Sequence, residues 1–94
     1  MPVTLYSPTG PVERTSIPLA ARPISLAGLR IAVLDNSKTN ARFALRTLAD
    51  LVAARTGATV TVTAAKESAG IPAPDDVITR IADGADMALV GSAD

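Results

Sequence analysis

The chain contains no cysteine and no histidine. That removes the commonest nucleophilic thiol, the side chain that titrates nearest neutral pH, and nearly every structural zinc arrangement. Aromatic residues are scarce, Tyr6 and Phe43 alone, so the interior has to be built from small aliphatic side chains. Neither sign of charge is in excess: nine basic residues face nine acidic ones and no block of like charge occurs. A nucleic-acid binder would need such a footprint, and this chain lacks one. The apolar runs fall well short of the roughly 18 residues of a membrane span, and the first residues lack the basic and apolar regions of a signal peptide. A cytoplasmic protein with no membrane or nucleic-acid partner is the expectation.

What is present is 48% hydrophobic and 19% charged residues in a length of 94, the composition of one small globular domain. A chain this short buries only about 60 to 65% of the surface its unfolded form exposes, so its stability should be marginal without a partner surface. Residues 1–29 hold five of the seven prolines, Pro2, Pro8, Pro11, Pro18 and Pro23. Regular structure there is limited to extended pieces and turns. This segment reads as an N-terminal arm, and its apolar residues, among them Val3, Leu5, Tyr6, Ile17, Leu19 and Ile24, should lie along a surface, its own or a neighbour's.

Residues 30–94 carry an alternating pattern. Arg30 to Leu34 is a short apolar run bounded by Gly28 and Asp35-Asn36-Ser37, the form of a strand buried on both faces. Asn40 to Arg55 reads as a helix with Ala41, Ala44, Leu45, Leu48, Leu51 and Val52 on its buried stripe, closed by Gly57. Ala58 to Thr63 alternates β-branched residues, valines on one face and threonines on the other, as an edge strand would. Pro72, Pro74, Asp75 and Asp76 begin a short helix that Gly84 ends, and Ala85 to Gly91 is another buried, apolar strand. Strand, helix, strand, helix, strand under the right-handed crossover rule gives an α/β fold: a three-stranded parallel βαβαβ sheet of order 2-1-3, half of a Rossmann- or flavodoxin-like domain. Nothing is left to pair with the outer edge of the third strand. Either the domain dimerises there or another polypeptide completes it.

Ligands of open parallel sheets bind beyond the C-terminal strand ends, here the loops Asp35–Asn40, Ala65–Pro72 and Gly91–Asp94. In the first, the free N–H groups of a helix start and the charge of Lys38 suit a carboxylate, phosphate or oxyanion. The plainer alternative is a helix capped by Asn40 or Thr39 with Lys38 in solvent. Lys66 follows the second strand and either converges on the same crevice or pairs with Glu67 at the surface. Asp94 places a carboxylate at the crevice mouth. Neither a GxGxxG nor a GxxxxGK[ST] segment is present, which sets dinucleotides and nucleoside triphosphates aside. No cofactor and no metal site is expected. Pro2, exposed by removal of Met1, is a third and weaker route to a catalytic base.

Several segments together resemble a known family. They are Ser7-Pro8-Thr9-Gly10, Leu34-Asp35-Asn36-Ser37-Lys38-Thr39-Asn40 within a longer run from Leu26, Lys66, Pro72-Ala73-Pro74, and Ala85-Asp86 with Asp94. The chain is similar to the UGSC family, in which a Gly-x-x-Asp segment runs into selenocysteine or cysteine followed by Gly-Ser-Cys. Glu67 departs from the proline more usual in that family after the lysine. The resemblance covers nearly the whole chain, which stops one position before the family's reactive selenol or thiol. It implies the first half of a split domain, with a partner subunit that brings a Cys-Gly-Ser-Cys-like segment and the remaining strands. The family's motif positions fall on Asp35, Asn36, Lys38, Asn40 and Lys66. On that basis Lys66, Asp35 and Asp94 are the candidate catalytic residues, and Asn36, Ser37, Lys38, Asn40 and Ser92 the candidate binders of a small anionic substrate. The expected chemistry is thiol-dependent, of lyase, hydratase or reductive type, on a small carboxylate or carbonyl compound. A non-catalytic anion-binding module that homodimerises through its sheet edge is the competing expectation.

Overall fold

The computed structural model describes residues 2–11 and 16–93. From Arg30 onward the order is β1 (Arg30–Asp35), α1 (Ala41–Thr56), β2 (Thr59–Ala65), α2 (Asp75–Gly84) and β3 (Met87–Gly91). The strands form one parallel sheet of order β2-β1-β3. This is the expected βαβαβ unit, and its two crossovers put α1 and α2 on opposite faces. No helix among the described residues is long and apolar enough to cross a membrane.

The central strand explains the arrangement. Every residue from Ile31 to Asp35 is buried, because β1 has a strand on each side and a helix over each face. Ile31 and Val33 point to α1 and join Ala49, Ala58, Leu45, Val52 and Leu89 in the core. Burying such a side chain contributes about 1.5 to 3 kcal/mol, so these two anchor the fold. Gly57 closes α1 at φ 80°, a left-handed conformation in which its N–H reaches Ala53 O at 3.0 Å.

Three expectations need correction. The valines of β2 do not share a face: the pairing skips a residue, Ile31 opposite Val60 and Ala32 opposite Val62. Thr61 is the extra residue of a bulge, which turns Val60 toward α1 and Val62 toward α2. The bulge is held by Thr61 Oγ1 donating to Gly84 O at 2.6 Å, where Val62 lies close against Gly84.

The buried stripe of α1 is also displaced. It runs through Ala41, Leu45, Ala49 and Val52, whereas Ala44, Leu48 and Leu51 are exposed. Alanines at positions 41 and 49 let the helix sit close to the sheet, and that contact settles the rotation of a helix that is apolar on more than one side. Finally, β3 is not buried throughout. Ala88 and Val90 are exposed, Val90 at 62%, since α2 lies mainly over β2 and β1 and no element among the described residues covers the outer half of the sheet on that face.

The two edges differ. Along β2, Arg80 donates to Thr63 O at 2.9 Å and Arg46 to Thr63 Oγ1 at 2.9 Å, so the bulge and two guanidinium groups guard that edge. The β3 strand contains no charged residue, and no strand among the described residues pairs with its outer edge. Residues 2–11 and 16–29 contain turns and no helix or strand, and Leu19 and Ile24 are fully exposed. The radius of gyration is 18.2 Å, against about 12 Å for a compact chain of this length.

Candidate functional site

The C-terminal ends of the three strands are tied together by two adjacent residues. Asn36 follows β1, and its own N–H donates to Gly91 O at 2.9 Å. Its side-chain amide reads the next peptide in both directions: Nδ2 donates to Ser92 O at 2.7 Å and Oδ1 accepts from Ser92 N at 2.8 Å. Ser37, at φ 67°, donates its hydroxyl to Lys66 O, just past β2. Asp35 is buried, accepts Ser37 N on Oδ1 at 2.8 Å and offers its carbonyl to Lys66 N at 2.8 Å. The loop after β1 is thus fastened on one side to β2 and on the other to β3.

This fastening sets what remains for a ligand. Asn40 begins α1 in a left-handed conformation, φ 62°, and its side chain makes no capping bond. Ala41 N is satisfied by Lys38 O at 3.1 Å. The N–H groups of Arg42 and Phe43 have no acceptor among the described residues, so the start of α1 keeps donors and a positive dipole end available to an anion. Half-buried Lys38 belongs to the turn that leads into this helix. Lys66 Nζ donates to Ile71 O at 2.9 Å and closes its own loop. No ion pair joins it to Glu67 among the described residues.

The sequence of this chain matches the UGSC family profile over residues 4–94. The chain belongs to the UGSC family. No curated protein and no solved structure matches it.

In this UGSC chain the motif residues Asp35, Asn36, Lys38 and Asn40, with Ser37 between them, therefore lie together from the end of β1 to the start of α1, with Lys66 and Ser92 at the two flanks. Asp94 lies outside the described residues. Asn36 and Ser37 spend their side chains on holding strand ends, a use that the sequence does not reveal, because their partners are 56 and 29 residues away. No cluster of three His, Cys, Asp or Glu side chains suited to a metal occurs among the described residues.

At the opposite end of the sheet Arg30 and Asp86 join β1 to β3. Asp86 accepts from Arg30 N at 2.9 Å and from Arg30 Nη2 at 3.0 Å, and Asp86 N donates to Arg30 O at 2.8 Å. The hydrogen bonds from Arg30 hold the Asp86 carboxyl below the ordinary carboxylate range. This pair is far from the strand C-termini and serves the register. A surface depression lined by Thr61, Val62, Arg80 and Gly84 lies beside the guarded β2 edge and also away from the motif loop.

Proposed function

We propose that this chain is the small, non-autonomous subunit of a heteromeric thiol-dependent enzyme that acts on a small carboxylate or carbonyl compound. The observation that carries the reading is the asymmetry of the sheet: β2 is guarded by a bulge and two arginines, whereas β3, bare along its outer edge, ends at the motif loop. A polypeptide that paired with β3 would place its own residues beside Asn36 and Lys38. On this reading a partner subunit supplies a Cys-Gly-Ser-Cys-like segment, and its cysteine is the nucleophile.

Each motif residue then has a task. Lys38 and the N-terminus of α1 hold the substrate anion, with Asn40 setting the turn that exposes those N–H groups. Asn36 and Ser37 fix the loop against Ser92 and Lys66. Asp35 and Asp94 orient groups at the reaction centre, and Lys66 lowers the pKa of the partner's thiol by its positive charge.

Co-expression with the product of the adjacent open reading frame tests the proposal. The expected result is a complex in which Lys38→Ala remains assembled and loses at least tenfold in kcat/KM, a change of about 1.4 kcal/mol. A folded chain indifferent to that product, or unchanged turnover in Lys38→Ala, overturns it. A homodimer formed along β3 that binds anions without any partner would instead support the non-catalytic module. Detection of the endogenous protein with an antibody against the arm gives a further arm: a band much larger than 9.6 kDa would mean that the completing segment is not a separate subunit.

A further inference from the structure

Two apolar surfaces of this chain have nothing against them among the described residues. The first is the outer side of α1, where Phe43 is 75% exposed, Leu48 49% and Leu51 51%. The helix thus carries one apolar stripe against the sheet and another facing away, a pattern usual in helices covered on both sides. The second is the arm, in which Val3, Leu5, Tyr6, Ile17, Leu19 and Ile24 are all largely or wholly exposed.

The area involved is large. The chain exposes 7556 Å², whereas a compact chain of its mass exposes about 5,100 Å², an excess of about 2,500 Å². A stable protein interface of ordinary size takes about 800 Å² from each partner. The excess is enough for such an interface and for a paired β3 edge besides.

We propose that the arm of one copy lies along the outer face of α1 in a second copy, and the reverse, to form a twofold dimer. The arm leaves the body beside its own α1, since Gly28 N donates to Gly57 O at 3.0 Å, yet its described apolar residues stay exposed and do not pack on that helix. Its prolines hold it extended, so docking costs little further chain entropy. Each copy has one arm and one open helix face, so two copies related by a twofold axis satisfy both at once and leave no arm to recruit a third. The dimer leaves β3 free and does not depend on the enzyme reading above.

Light scattering after size exclusion of the full chain, at tens of micromolar, measures it. The expected mass is twice the single-chain 9.6 kDa. Leu51→Lys spoils the helix face and Leu19→Asp spoils the arm. Both positions are exposed, so each variant should keep the wild-type circular dichroism and weaken the dimer at least tenfold. Mixing the two variants restores a dimer, because the intact arm of one meets the intact face of the other. In a complex co-purified from the source, native mass spectrometry should count two copies of this chain. A wild-type chain of single-copy mass overturns the proposal, whether compact, with the arm on its own helix, or extended. So does a dimer that survives both substitutions, or one copy per complex.

Discussion

Replacing Asn36 by alanine removes both hydrogen bonds between its side chain and the Ser92 peptide, at 2.7 and 2.8 Å. Ser92 is exposed and Asn36 only half-buried, so water can reach the freed groups and no buried-polar penalty is added. The two bonds are then worth about 1 to 2 kcal/mol together. With a urea dependence of about 1 kcal/mol per molar for a chain of this size, the midpoint should fall by about 1 to 2 M. If the loss is confined to the strand end, amide exchange at Ser92 should instead quicken about 5- to 30-fold. Asn36→Asp sharpens the test. It keeps the acceptor for Ser92 N but sets an oxygen against Ser92 O, so at pH 7 it should be no better than alanine. A protonated carboxyl can donate to Ser92 O, which favours the neutral form and raises the pKa of that aspartate. The variant should therefore regain stability as pH falls toward about 4, with the gain complete at the unfolded value and no further change from this group below it. Urea unfolding followed by circular dichroism, with exchange at Ser92 read in parallel, decides it. An Asn36→Ala protein unchanged in both readings, or an aspartate variant equal to wild type at pH 7, would refute the clamp.

The carboxyl of Asp86 has its pKa lowered by its bonds from Arg30, so it binds a proton less readily folded than unfolded. Its contribution is present above the unfolded value of about 3.9 and lost as pH falls through the lower folded one. Stability measured from pH 6 to 2 should drop more steeply below about 4 in wild type than in Asp86→Asn; parallel curves would contradict this. A Cβ at Gly84 would lie 2.8 Å from Val62 Cγ2. Gly84→Ala should therefore cost about 1 to 3 kcal/mol in thermal or urea unfolding, and Val62→Ala in the same chain should recover part of it. Equal costs with and without Val62 would show that the contact is not the cause.

Much of the site loop could be read from the residues: Asp35, Asn36, Ser37, Lys38 and Asn40 fall within six consecutive positions, and an apolar run before them with a helical pattern after them puts any such stretch at a strand end. What Asn36 and Ser37 do there could not be read, because neighbours in the chain do not reveal which distant carbonyl a side chain meets. Lys66 shows the same limit. A lysine beside a glutamate reads as a surface pair, while the turn that follows brings Ile71 O within 2.9 Å and takes one hydrogen bond of the ammonium.

The sequence by itself determined the order of elements, the parallel sheet and its strand order, since hydrophobic period, glycine and proline punctuation and crossover handedness are all local or near-local rules. Only the tertiary structure decided which faces those elements present. The bulge at Thr61 separates Val60 from Val62, and two alanines select which apolar side of α1 meets the sheet. Both outcomes depend on close fit between segments far apart in the chain. The same fit leaves Leu48, Leu51 and the edge of β3 uncovered, where this small domain has surface to give to other molecules.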